Sequence, residues 1–293
     1  MKPRKFSYVR AGSVAEVLEL LDRYGEDARV LAGGQSLMPT LNMRLSEPKV
    51  LIDINRIEAL KGISVRDGPV RIGTVTRHAE VMRSAIVAEH LPLITEAMPH
   101  VAHVAVRNRG TFGGSIALAD PAAEMPACAL ALGARLVLES VGGRRSIAAD
   151  DYFKGLYDTE RRPDELLVEA LIPVPKPNTV SVFMELARRH GDFAIAGVAF
   201  QLQMEGDVVA DGRLVYFGSE EKPTLAKGAL AAIKGRPLGE SSAEAAAAAL
   251  DGDLAPISSA QGSAKMRLHL QRVLTRRALA VARERASGRA KAA

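Results

Sequence analysis

Three prolines in five residues, Pro173-Val-Pro-Lys-Pro, constrain this chain more than any other feature. Proline has no amide hydrogen and a fixed φ, so neither a helix nor a central strand can run through the cluster. The 293 residues are therefore expected to divide there, with a larger unit at 1–175 and a smaller one at 176–293. Within the larger unit a further division is expected near residue 57.

On the N-terminal side, Ser13 to Tyr24 sets Val14, Val17, Leu18 and Leu21 on one face behind a serine cap, which predicts an amphipathic helix. Lys49 to Ile54, Val70 to Thr76, Arg135 to Glu139 and Glu165 to Ile172 read as strands. Thr76 to Ser84, Ile86 to Met98 and Pro121 to Leu132 read as helices. Beyond the prolines, Phe193 to Met204 and Val208 to Phe217 read as antiparallel strands around a glycine–aspartate turn. Alanine-rich helices near 225–233 and 241–250 follow, and a closing helix is expected over Ser259 to Ala286. Strands and helices do not alternate, so the fold class is α+β, not a doubly wound sheet.

Composition excludes several functions. No apolar run approaches the roughly 20 residues of a membrane span, and the basic N-terminus lacks the apolar stretch of a secretory signal; a cytoplasmic chain is expected. The net charge of +5 comes without tryptophan and with few other aromatics to stack on bases, which argues against nucleic acid as a partner. The single cysteine, Cys128, cannot ligate an iron–sulfur cluster and lies in an apolar run that suits a buried core position. Neither a metal-binding histidine motif nor a nucleophile with a nearby base stands out, so no catalytic residue and no metal site is assigned.

Two glycine loops carry the chemistry. The first is Ala32-Gly33-Gly34-Gln35-Ser36-Leu37 and the second Thr111-Phe112-Gly113-Gly114-Ser115. Paired glycines allow positive φ and a close approach of main chain to ligand, and converging amides can hold an anion. Neither loop has the spacing of a Rossmann fingerprint or a Walker A site. Either could be a plain turn; together they could grip the pyrophosphate of a dinucleotide. Asp120 and Glu124, four apart, could be an acid–base pair, a helix cap or ligand contacts. Arg107, Arg109, Arg188 and Arg189 could be ion-pair or subunit-interface residues.

Four motifs then resemble one family. They are Ala32-Gly-Gly-Gln-Ser-Leu with Leu41-Asn-Met-Arg-Leu and Leu51-Ile-Asp-Ile, the stretch from Val106 to Pro126, Ala187-Arg-Arg-His-Gly-Asp-Phe-Ala, and Ala264-Lys-Met-Arg-Leu-His-Leu with Thr275-Arg-Arg-Ala-Leu. In this order they are similar to the FAD-binding medium subunits of the molybdenum hydroxylase and xanthine dehydrogenase family, of the carbon monoxide dehydrogenase type. The resemblance implies a two-part FAD-binding fold of vanillyl-alcohol-oxidase type followed by a small C-terminal α+β domain. It implies that residues 32–37 and 111–115 bind the FAD pyrophosphate, that Asp120 contacts the cofactor and Glu124 its ribose, and that Leu167 and Val168 line the flavin. Asp192 and Phe193 would approach the isoalloxazine. It further implies an electron-transfer role beside a large molybdopterin subunit and a small [2Fe–2S] subunit, in a dimer of heterotrimers, with those two cofactors only on the partners. The lysine that some xanthine dehydrogenase relatives carry near the flavin falls at Met184. A free-standing flavin oxidoreductase and a non-enzymatic nucleotide-binding module are the alternatives.

Overall fold

The structure is a computed structural model. It describes residues 2–65 and 67–292, the last four by backbone alone; Met1, Arg66 and Ala293 lie outside the described residues. The N-terminal layer is a three-stranded parallel sheet of β1 (Ser7–Arg10), β2 (Ala28–Leu31) and β3 (Val50–Asp53) in the order β1-β3-β2. The helix Val14–Tyr24 covers it with Val17, Leu18 and Leu21, and Ser13 caps its start by accepting from the Glu16 amide.

A five-stranded antiparallel sheet forms the middle layer. It takes β4 (Ile63–Val65), β5 (Val70–Gly73), β6 (Arg135–Ser140) and β7 (Gly143–Ala148) in chain order. After the small β8 (Phe153–Gly155) and β9 (Asp158–Thr159) ribbon, β10 (Leu166–Ile172) returns to the sheet's centre, giving β4-β5-β10-β6-β7. β10 is buried on both faces, which explains its almost continuous apolar sequence. Leu166 and Val168 join the N-terminal core, while Leu167, Ala170 and Ile172 join the core on the other side.

That second core also holds helices Pro92–Ala97, Phe112–Leu118 and Glu124–Ala131. It is closed from beyond by the four-stranded sheet of β11 (Thr179–Leu186), β12 (Ala196–Glu205), β13 (Val208–Phe217) and β14 (Thr224–Leu225). Phe183, Ala199, Val215 and Phe217 of this sheet sit in the same apolar cluster as Cys128 and Ile116. Residues 173–177 run between β10 and β11 without regular structure, yet the apolar core continues across them. Helices Lys227–Ile233, Glu240–Asp253 and Ala264–Ala292 cover the sheet's far face. Among the described residues, no helix is long and apolar enough to cross a membrane.

The α+β arrangement is the expected one, and several boundaries move for local reasons. Ile86–Met98, expected as one helix, is two: Leu91 at φ −130°, ψ 60° breaks it, and Pro92 starts the second. The helix expected from Pro121 begins at Glu124, because Asp120 to Ala123 form a turn. The closing helix begins at Ala264, after a tight Ser259–Gly262 turn, and extends to Ala292.

Candidate functional site

The first loop leaves the sheet where parallel strands end, a position that favours ligand binding. β2 finishes at Leu31 and β3 at Asp53, and the chain then turns at Gly33 and Gly34, the latter at φ +71°. The backbone amides of residues 33–37 find no hydrogen-bond partner among the described residues. Gln35 is turned back, its Nε2 donating to the Gly33 carbonyl at 3.1 Å, and Ser36 is exposed. Five consecutive donors without partners in half-exposed backbone could together hold an anion.

The second loop differs from its expected design. Residues 112–118 are a helix, capped by Thr111, whose Oγ1 accepts from the Gly114 amide at 3.0 Å. Phe112 and Gly113 donate to the Thr76 and Thr74 carbonyls at 2.9 and 3.0 Å, and Ser115 donates to that of Thr111. The amides of residues 112–115 are thus already used. A Cβ on Gly113 would lie 1.8 Å from Thr74 Oγ1, so its glycine serves packing against β5's end. Phe112 is a core side chain. Gly114 faces the first loop, where a Cβ would meet that of Ala32 at 3.9 Å.

The loops meet directly. A Cβ on Gly33 would be 2.5 Å from the Arg109 carbonyl oxygen and 2.7 Å from Gly110 Cα. Beside this seam opens a cleft of about 460 Å³ lined by Tyr8, Asp53, Asn55, Arg109 and residues 31–35. Its floor is a polar chain that sequence reasoning missed. The Tyr8 hydroxyl donates to Asp53; Asn55 Nδ2 donates to Asp53 Oδ1 at 2.7 Å and to the Ala32 carbonyl at 2.8 Å. Arg77 donates to Asn55 Oδ1 at 2.6 Å and to the Arg109 carbonyl. Desolvation works against the ionised Asp53, but the donations from Tyr8 and Asn55 outweigh it and hold its carboxyl below the ordinary range. Asp53-Ile-Asn55 at a strand's carboxyl end was a usable signal. Arg77 had none, standing 22 residues from one partner and 32 from the other.

Asp120 and Glu124 lie beyond the second helix and are both buried. Asp120 accepts from the Ala122 amide at 2.9 Å and the Tyr157 hydroxyl at 3.2 Å; burial nevertheless raises its pKa. Burial, with Glu185 close by, pushes Glu124 up to about 8. Leu167 and Val168 do not come to the cleft: they point into two different cores and are 3% and 5% exposed. Asp192 and Phe193 sit on an exposed turn, with Phe193 55% exposed. Gly191, at φ +86°, presses that turn onto His103 and the Ala102 carbonyl. Of the arginines, Arg107 is buried and donates to the Val101 and Ala102 carbonyls, Arg109 lines the cleft, Arg188 reaches the Ala260 carbonyl and Arg189 is exposed.

A glycine-lined cleft at parallel strand ends, with free amides and a polar floor, defines a protein that binds a nucleotide cofactor. Residues 4–175 match the family described as FAD binding domain in molybdopterin dehydrogenase, and residues 181–282 the one described as CO dehydrogenase flavoprotein C-terminal domain. The 6-hydroxypseudooxynicotine dehydrogenase complex subunit alpha of Paenarthrobacter nicotinovorans is 38% identical over 98% of this chain and 97% of its own. Among solved structures, carbon monoxide dehydrogenase from Hydrogenophaga pseudoflava superposes with a TM-score of 0.94 at 37% identity, covering 96% of this chain and 98% of that one. Quinoline 2-oxidoreductase from Pseudomonas putida 86 gives 0.92 at 38%, covering 98% and 99%. The chain belongs to the family of FAD-binding subunits of molybdenum hydroxylase-type dehydrogenases, which are oxidoreductases, and its cofactor is FAD.

Proposed function

We propose that this chain is the electron-transferring flavin subunit of a heteromeric molybdenum hydroxylase. Electrons would arrive from [2Fe–2S] clusters of a small partner and leave to an external acceptor, while a large molybdopterin partner transforms the substrate. The reading extends to a dimer of heterotrimers working in the cytoplasm. The observation that carries it is the seam between the loops: the first loop, whose amides at 33–37 have no hydrogen-bond partner among the described residues, lines a cleft beside the point where Gly33 meets the Arg109 carbonyl.

FAD, once bound, supplies the electron exchange. The chain's own residues bind and orient it. Amides of residues 33–37 would hold the pyrophosphate, with Ala32 and Gly114 as the smooth facing walls and the Thr111 and Ser115 hydroxyls at the second loop. Asp120 and Glu124 would accept from sugar hydroxyls, which suits two carboxyls kept out of bulk water. Leu167 and Val168, packed into the cores on either side of β10, would support the site without lining it. Phe193 would cover one face of the flavin ring, and Asp192 would stand at its edge. The domain division at residues 175 and 176 would let the C-terminal part carry that covering turn.

The test is an absorbance spectrum of the purified chain with FAD added, together with affinity purification from its native host. Two visible flavin bands, with molybdenum and iron in co-purifying larger and smaller chains, are expected. A flavin spectrum without partners, and turnover of a small substrate by the lone chain, would replace this reading with a free-standing oxidoreductase. Absence of FAD binding would leave only a nucleotide-binding module.

A further inference from the structure

We propose that Arg77, together with Asn55, is the positioning pair that couples the two glycine loops and makes the FAD-binding cleft a single rigid seat. The inference rests on the reading of that cleft as the dinucleotide site. It concerns two residues that belong to neither loop.

The geometry is a bridge. Asn55 Nδ2 holds the Ala32 carbonyl at 2.8 Å and lies 3.3 Å from that of Leu31, so it fixes the chain entering the first loop. Arg77 holds the carbonyl of Arg109, the residue immediately before Gly110 and the second loop. The Asn55 amide oxygen accepts from Arg77 at 2.6 Å, closing the link between the two holds. The Arg109 carbonyl is also the atom nearest the missing side chain of Gly33. One carbonyl oxygen is thus clamped between the guanidinium on one side and the first loop's backbone on the other. A guanidinium carries its donors in a rigid planar fork, so a single side chain holds both acceptors in set directions.

The charges fit the same role. Burial disfavours the charged form of Arg77, and the nearby Arg109 cation adds to that cost. Glu80 and Asp53 offset it in part, with Asp53 itself held by Tyr8 and Asn55. Arg109 lines the cleft and Arg77 holds its carbonyl, so two cations stand at the seam, and a pyrophosphate would supply the anion that offsets them.

The experiment is a fluorescence titration of the FAD-free full chain with FAD at low and high salt, for wild type, Arg77→Lys, Arg77→Met, Asn55→Ala and the double variant Asn55→Ala/Arg77→Met. Circular dichroism melts check that each variant folds. Arg77→Met is expected to weaken FAD binding by about tenfold or more and to flatten its salt dependence. Arg77→Lys should keep the salt dependence but still bind more weakly, because a compact ammonium on a flexible stem lacks the rigid, spread donors of the guanidinium. The double variant should lose no more than the worse single one, as members of one unit do. Wild-type Kd in Arg77→Met or Arg77→Lys, or strictly additive losses, would overturn the proposal. Failure of the wild-type chain to bind FAD would instead remove the site reading on which it rests. Should Arg77→Met not fold, Arg77→Lys and Asn55→Ala decide between the same outcomes.

Discussion

The carbonyl oxygen of Arg109 occupies the place where a side chain on Gly33 would begin, 2.5 Å from an ideal Cβ. The contact involves backbone on both sides, so neither partner can swing away as the end of a flexible side chain could. Gly33→Ala is therefore expected to force the loops apart, lowering stability by roughly 1–3 kcal/mol and FAD affinity by more than about tenfold. Thermal melts and FAD titration of the variant check both. Wild-type affinity would show that the seam does not shape the site.

The FAD-free chain should lose stability in two pH windows. Folded Glu124 keeps its proton up to about pH 8, whereas the unfolded chain releases it near 4.5. The folded state binds more protons between those values, so stability falls as pH rises through them and levels off above 8. His78 acts at the other end, since burial lowers its folded pKa from 6.5 to about 4. There the unfolded state binds more protons, and stability falls as pH drops from 6.5 toward 4. Each slope amounts to roughly a few kcal/mol. Between pH 4.5 and 6.5 the two slopes oppose each other, so in denaturant unfolding Glu124→Gln should remove the fall above pH 6.5 and His78→Asn the fall below about 4.5. A profile unchanged by Glu124→Gln refutes the first assignment.

Glu96 ties the two parts of the chain together. One of its oxygens accepts from the Phe183 amide on β11 at 3.1 Å, and the other pairs with Arg285 of the closing helix. Glu96→Gln keeps an acceptor for the amide and gives up only a half-exposed ion pair, an expected loss below about 1 kcal/mol. Glu96→Ala leaves the amide unpaired as well, and about 1–3 kcal/mol is expected. Equal losses in urea unfolding would mean that the amide bond contributes nothing separable.

Tyr157 holds Asp120 from a costly backbone position. It stands at φ +55° between β8 and β9, where a bulky side chain is disfavoured. Asparagine tolerates that conformation better, so Tyr157→Asn should gain up to about 1 kcal/mol from the backbone. The same change removes the hydroxyl on Asp120 and should weaken FAD binding. If stability and affinity instead move together, the tyrosine is not held there for the sake of Asp120.

What the sequence disclosed follows from how local each signal is. The Ser13 cap and the periodicity behind it act within a dozen residues, and the helix starts at Val14. The Val208–Phe217 strand lies where its pattern put it. β11 was missed because the proline break preceding it hid the strand's start, and β1 because four mostly exposed residues carry no apolar alternation. The second glycine loop looked like the first in composition, but its amides are bound to the carbonyls of residues 74, 76 and 111 and to the Thr111 hydroxyl. No run of residues around position 112 encodes a partner more than 30 positions away. The floor from Tyr8 to Arg77 stayed hidden for the same reason.

The central place of β10 sets a timetable for the nascent chain. Its neighbours β5 and β6 are made long before it, yet they hydrogen-bond to it and not to each other. The Thr74 amide, next to the packing site of Gly113, is itself held by the Val168 carbonyl. During synthesis, then, the second loop has no finished footing until residue 172 has left the ribosome. On the proposed site, FAD would load only after β10 is made, and a message truncated before that point would yield a polypeptide with both glycine loops but without the strand that supports them.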